Sequence, residues 1–271
     1  MSLPDIIDPG HSEKYTLSIR LKKDGLSFTI YEEGVGKSFC YKEFVFAKEL
    51  SMLTNLEQIV FDNNFLVYNY KKVNIDYVSS DYDLIPEYLY EEKHQDKIFN
   101  FTHFENQGEI LRNEATVQDN VLVFSVNKDV HSFLIRNLQN PSFYHYIGQL
   151  IPYFAEKAKV IQSNVQMFVH FHDKMTDIFC YRNGTIFQIQ SYNNIIISDV
   201  VYYILNLWEK CDFDQNTDRL FISGLTENLS EMVKDISKYV KNISTIGMPS
   251  EVQFLTKDAA NTPLDLLIFS L

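Results

Sequence analysis

Apolar and polar positions alternate along YTLSIRL (Tyr15–Leu21), turn at KKDG (Lys22–Gly25) and alternate again along LSFTIYEEG (Leu26–Gly34). That pattern predicts a β-hairpin, with Asp24–Gly25 supplying the turn. A third strand is expected at KSFCYKEFVF, and further strand sequence at QIVFDN and FLVYNYKKVNIDYVSS. LIPEYLYEEKH predicts a helix with Pro86 in its first turn. IFNFTHFE, GEILRNEA and VLVFSVN follow as strands, then DVHSFLIRNLQN and PSFYHYIGQLIPYFAEKAK as helices, the second with Asn140 as cap and Pro141 at its first position.

The pattern then begins again. NVQMFVHFHDKMTDIFCYRNGTIFQIQSYNN predicts three strands joined by two turns. A helix follows at SDVVYYILNLWEK with Ser198 as cap, then a strand at DRLFISG and a helix at NLSEMVKDISKYV. In that last helix Leu229, Met232, Val233, Ile236 and Val240 recur at helical spacing, so one face is core. VQFLT and LDLLIFSL close the chain as strand-like runs. Laid against each other, the two openings match without a gap: Leu17 with Met167, Ile19 with Val169, Leu21 with Phe171, Phe28 with Ile178, Tyr31 with Tyr181 and Gly34 with Gly184. A constant offset of 150 residues predicts an internal duplication. The expected fold class is α/β: two βββαβαβ units facing a central cleft, divided as 1–150 and 151–271.

Composition narrows the partners. The 271 residues are 45% hydrophobic and 22% charged, as a globular chain should be. Twenty-four basic against 36 acidic residues leave a net charge of −12, and the only basic clusters are RLKK (Arg20–Lys23) and Lys71–Lys72. Nucleic-acid and anionic-membrane binding are not expected of such a chain. No apolar run approaches the roughly 20 residues of a membrane-spanning helix, and MSLPDIIDPGHSEK lacks the features of a signal peptide. Three widely spaced cysteines (Cys40, Cys180, Cys211) suggest neither a disulfide framework nor a zinc site. A cytoplasmic protein is expected.

The candidate chemistry lies in MFVHFHDKMTDIFCYRNG (Met167–Gly184). His170 and His172 share one face of a strand, and Asp173 at the turn could join them on a metal. Solvent-facing histidines beside a turn explain the same residues, since His103, His131 and His145 have no spacing that recruits them. EEGVGKS (Glu32–Ser38) only superficially matches a phosphate-binding loop, because it joins two strands and lacks the leading glycine. No G-x-S-x-G nucleophile motif occurs.

A duplicated unit opening on a hairpin resembles the actin-like ATPase fold of actin, sugar kinases, Hsp70 chaperones and the pilus-assembly proteins. Within it the chain is most similar to the uncharacterised bacterial domain-of-unknown-function family 3822. That resemblance implies ribonuclease-H-like halves and two phosphate hairpins, D-x-G in the first half and D-x-G-G-G-T-T-D in the second. There the aspartate holds Mg²⁺ through water and the glycines admit phosphates to the backbone. Against those motifs Arg20 takes the place of the first aspartate and Lys22 that of the glycine. His170 falls on the second aspartate, His172, Asp173 and Lys174 on the glycines, and Thr176–Asp177 on the closing T-D. LFISGLTENL would be the adenosine turn; it keeps Ser223–Gly224 but has Leu225 where a small residue belongs, and Thr226 and Glu227 serve equally as helix-entry residues.

The expectation is a non-catalytic actin-like scaffold or adaptor with a protein partner and no cofactor, with FLVYNYKKVNIDYV (Phe65–Val78) as its contact segment. One alternative is a module that senses ATP, ADP or another anion through Arg20, Lys22, Lys23, His170, His172, Lys174, Thr176, Asp177, Ser223 and Gly224. Another is a metal-dependent hydrolase at His170, His172 and Asp173. No catalytic residue is assigned.

Overall fold

In a computed structural model of the chain, residues 3–271 are described apart from 105, 114–115, 162–164, 194–195 and 225–228. They form two compact units, Met1–Gln149 with Pro249–Leu271, and Leu150–Met248.

The first unit is built on a sheet of order β3-β2-β1-β4-β8. Its strands are β1 (Thr16–Lys22), β2 (Gly25–Tyr31), β3 (Phe39–Val45), β4 (Lys72–Tyr77) and β8 (Ser142–His145). β1 runs antiparallel to β2 and parallel to β4. Helices α1 (Met52–Asp62) and α3 (Lys128–Asn137) supply Leu56, Val60, Val130, Phe133 and Leu134 to one face, against Leu17, Ile19, Leu21 and Ile75. Ser51 caps α1 by accepting from Thr54 N, and Asn127 caps α3 by accepting from Asp129 N and Val130 N. A short helix, α7 (Leu264–Ile268), covers the other face against β1 and β2. Six of the seven β1 residues are therefore buried, although its sequence alternates. A three-stranded sheet, β5 (Tyr82–Pro86), β7 (Asn120–Val126) and β6 (Glu109–Arg112) in the order β5-β7-β6, is inserted between β4 and α3 together with α2 (Gln95–Thr102).

The second unit repeats the plan with the order β11-β10-β9-β12-β13. Its strands are β9 (Val165–His172), β10 (Met175–Arg182), β11 (Thr185–Asn193), β12 (Arg219–Gly224) and β13 (Asn242–Ile246). Helices α5 (Ile197–Lys210) and α6 (Leu229–Ile236) cover one face with Val200, Ile204, Leu207, Met232 and Ile236. The opposite face meets α4 (Ile147–Val160), whose Phe154 ring lies 5.2 Å from that of Phe168 and 5.1 Å from that of Phe179.

The duplication is present residue by residue. Thr16 pairs with Tyr31 and Lys22 with Gly25; 150 residues later Gln166 pairs with Tyr181 and His172 with Met175. Gly34 and Gly184 share a left-handed backbone, φ 77° and 76°. The match ends at the third strand, where a register shift between Cys180 and Tyr181 brings Ile186 opposite Tyr181.

Several elements differ from expectation. QIVFDN closes α1, because Leu53, Leu56, Ile59 and Val60 are spaced for a helix under the Ser51 cap. IFNFTHF lies in α2 and its exit, with Phe99 buried and Phe101 exposed, and the Glu105 that follows lies outside the described residues. LIPEYLYEEKH is the end of β5 followed by two short 3₁₀ turns. Asn140 is left-handed (φ 44°) and precedes β8 rather than capping a helix, and Ser198 lies inside α5. VQFLT is part of a 3₁₀ turn, and LDLLI is helix α7 after Pro263. The division at 150 marks the start of the repeat, but residues 249–271 belong with the first unit, since their apolar and acidic side chains pack on its sheet. The Phe65–Val78 segment is no exposed edge: Phe65, Leu66, Tyr70, Val73 and Ile75 are buried, and β4 pairs on both sides.

Candidate functional site

Each sheet carries one polar row at the positions of the two phosphate hairpins. In the first unit Arg20 stands opposite Ser27 on β2 and Asp76 on β4. In the second, His170 stands opposite Asp177 on β10 and Ser223 on β12, and Asp177 continues to Ser191 on β11. Arg20 and His170, and Ser27 and Asp177, are each 150 residues apart. The rows are thus equivalent places in two copies of one motif.

The first row is a buried charge cluster. Arg20 Nε donates to Asp265 Oδ2 on α7 at 2.5 Å, and both side chains are 1% exposed. Asp76 is fully buried beside them, and neither of its oxygens meets a hydrogen-bond donor among the described residues. Burial, and then the charge of Asp265, push the Asp76 carboxyl well above its ordinary value, and Arg20 only partly opposes them. One guanidinium facing two carboxyls is neutral when Asp76 keeps its proton.

The second row is a charge relay closed on itself. His172 Nε2 lies 2.6 Å from Asp177 Oδ2 and its Nδ1 lies 3.2 Å from Asp173 Oδ2. Carboxylates only accept, so both ring nitrogens donate and His172 is an imidazolium. Ser191 Oγ donates to Asp177 Oδ1 at 2.5 Å, and His170 Nδ1 is 3.2 Å from Ser223 Oγ. The His170 and His172 rings stack at 5.3 Å. Burial alone would raise the Asp177 carboxyl, but His172, Ser191 and His170 outweigh it and hold it below the ordinary carboxylate value.

These partners decide what the residues can do. Lys22 Nζ reaches Glu43 at 3.0 Å, so Arg20 and Lys22 each face a carboxylate, while Lys23 and Lys174 are exposed. Thr176 and Ser223 are buried in strands, with Ser223 at 5% exposure. Gly224 has φ 85°, and a Cβ there would fall 1.9 Å from Phe171 O. Its glycine is explained by the approach of β12 to β9. Leu225, Thr226 and Glu227 lie outside the described residues. In the Ser191–Asp177–His172 chain the carboxylate is central, whereas acyl transfer needs the imidazole between hydroxyl and carboxylate. Among the described residues no group of three or more His, Cys, Asp or Glu side chains is arranged to hold a metal ion. The Mg²⁺–nucleotide that the fold implies finds the guanidinium of Arg20 at the first carboxylate position and the buried imidazole of His170 at the second. The residues do not fit that group.

Sequence reasoning missed Asp76, Asp265 and Ser191. The first two had a signal: each is a lone acid in an apolar run, VNIDYV and PLDLLIF, where a carboxylate needs a cation.

Solved structures share this architecture. One, described as a protein with actin-like ATPase fold and unknown function from Bacteroides thetaiotaomicron, is 27% identical, covers 96% of this chain and 98% of its own, and superposes with a TM-score of 0.82. Another, a PilM–PilN type IV pilus biogenesis complex, is 8% identical with a TM-score of 0.53 over 94% of each chain, and shares the fold alone. No curated protein matches. Among the described residues no helix is long and apolar enough to cross a membrane. The family described as protein of unknown function (DUF3822) matches residues 5–243, and the chain belongs to it, with the actin-like ATPase fold.

Proposed function

We propose that the protein is a non-catalytic actin-like adaptor that binds a protein partner and needs no nucleotide. One observation carries this: both hairpin positions that would face Mg²⁺ hold basic side chains, Arg20 and His170, at 1% and 3% exposure. Phosphoryl transfer is mostly positioning and charge stabilisation around the metal-bound phosphates. A guanidinium already paired with Asp265 neither attracts the metal nor offers its charge to phosphate. The anion-sensing alternative loses its main cations in the same way, since Lys22 faces Glu43. The PilM–PilN complex is a precedent for this fold holding another protein.

Calorimetric titration with ATP and ADP, with and without Mg²⁺, tests the proposal. No heat at millimolar nucleotide is the expected result. Micromolar binding that requires Mg²⁺ overturns it and restores an ATPase. Micromolar binding that survives EDTA turns the protein into a nucleotide-sensing module.

A further inference from the structure

Cys180 and Cys211 are far apart in sequence, yet the second unit brings their thiols together. α5 buries Val200, Ile204, Leu207 and Trp208 along one stripe. Cys211 extends that stripe by one turn, at the cap position where its N–H donates to Leu207 O. Beneath it, Cys180 on β10 belongs to the same apolar cluster as Ile204, Leu207 and Trp208, and Cys211 packs against that cluster. The two thiols hydrogen-bond to each other. Their surroundings are unequal: Cys180 is fully buried, whereas Cys211 is partly open to solvent.

That inequality gives the two sulfurs different chemistry. Burial, and then the Cys211 sulfur, push the Cys180 thiol well above its ordinary value, so it keeps its proton and donates. Accepting that S–H brings the Cys211 thiol down to about 7, against burial and the charge of Asp212 and with help from Arg182. A thiolate with solvent access beside a protonated thiol is the arrangement of a reactive cysteine and its resolving partner. A cysteine kept as a small core hydrophobe needs neither the partner nor the opening. A metal would need more than two thiolates, and among the described residues no group of three or more His, Cys, Asp or Glu side chains is arranged to hold one. Cys40 differs on both counts: it is buried on β3 of the first unit, and burial pushes its thiol up to about 11.

We infer that Cys180 and Cys211 are a peroxide-responsive pair that closes into a reversible disulfide. The Cys211 thiolate attacks one oxygen of a hydroperoxide. The S–O bond forms, the O–O bond breaks, and the departing oxygen takes up the proton that Cys211 had released to solvent. The Cys180 thiol then attacks the Cys211 sulfenic sulfur; the S–S bond forms, and the hydroxyl leaves with the Cys180 proton as water. Two thiols lose two electrons and two protons in all, and the peroxide gains them. A dithiol reverses the change by thiol–disulfide exchange and is itself oxidised to a disulfide. The inference is independent of the adaptor proposal, since neither thiol belongs to the two polar rows.

Peptide mapping of the full chain tests it. After brief treatment with stoichiometric hydrogen peroxide, the remaining thiols are alkylated and the chain is digested. Cys180 should be found joined to Cys211 and Cys40 alkylated, and dithiothreitol should restore all three thiols. Before oxidation, iodoacetamide should modify Cys211 in the folded chain about tenfold or more faster than Cys40 or Cys180. Cys180→Ser, whose hydroxyl can donate to Cys211 but cannot form the bond, should stop at a Cys211 sulfenic acid that dimedone traps. Its urea midpoint checks that it is folded, and the mapping of the unaltered chain decides the matter if it is not. The inference is overturned if Cys211 oxidises without joining Cys180, if Cys40 reacts as fast as Cys211, or if all three thiols survive millimolar peroxide.

Discussion

The two polar rows occupy the same places in the two repeats, yet the cation beside each is neutralised by an opposite route: Arg20 in the first row, and in the second His172, which stands at the position of Lys22. In the second unit the partner is local: His172 and Asp177 are five residues apart across one hairpin turn, and Ser191 comes from the next strand. In the first unit the partner is remote: Arg20 meets Asp265 across 245 residues, from a helix at the end of the chain. The acid next to Arg20 in its own sheet, Asp76, has its carboxyl pushed well above the ordinary value by burial and by Asp265 instead. A hairpin that keeps its own carboxylate is self-sufficient once folded. One that lacks it depends on the returning tail, so the same sheet position can serve either local order or long-range closure.

That difference can be broken from either side. The largest effect is expected from Asp265→Ala, which leaves Arg20 buried without its carboxylate and should cost about 3–5 kcal/mol in urea denaturation. A loss below about 1 kcal/mol would mean that water or another group compensates. Next comes Gly224→Ala, where the left-handed backbone alone costs about 1–3 kcal/mol and the added Cβ meets the Phe171 carbonyl, which sits in a paired strand.

His172→Gln probes the local row through acid unfolding. Asp177 is held below its ordinary value, so its stabilisation is present above the unfolded carboxylate pKa and is lost as pH falls through the lower folded value. Without the imidazolium, burial raises the carboxyl, and the acid midpoint should move to higher pH. An unmoved midpoint would remove the ion pair from the account. The smallest effect belongs to Asp76→Asn in acid, expected to change stability by less than about 1 kcal/mol below the ordinary carboxylate pKa, where a neutral carboxyl is exchanged for a neutral amide in both the folded and the unfolded chain; towards neutral pH the variant should be the more stable of the two. Asp76 is raised, so its folded form retains a proton that the unfolded form releases, and stability falls as pH climbs from the ordinary carboxylate value towards the folded one. The Asn variant should lose that slope.

Much of the fold was legible because the hairpins announce themselves. YTLSIRL-KKDG-LSFTIY and its counterpart 150 residues on keep period 2 and a common register, so strand pairing and duplication follow from the sequence. Several misread elements, QIVFDN, IFNFTHFE and LDLLIFSL among them, fail because short apolar runs do not distinguish strand from helix. LDLLI reads as a strand until Pro263 starts a turn and Leu264, Leu266 and Leu267 are buried together. At the site, the equivalence of Arg20 and His170 was visible from alignment of the repeats, and their replacement of acids followed from the resemblance to the phosphate hairpins of the actin-like fold. What neutralises them was not, since Asp265 is brought to Arg20 only by the path of the whole chain.

The most direct test of the account is a double-mutant cycle on Arg20 and Asp265, using Arg20→Met, Asp265→Leu and the pair, each measured by urea unfolding. If Arg20 is a structural cation neutralised by the tail, each single change is costly. The double variant should then recover most of the loss, giving a coupling of about 3 kcal/mol or more. Additivity within about 0.5 kcal/mol would contradict it: Arg20 would then owe nothing to Asp265, and its charge would have to be assigned to another role.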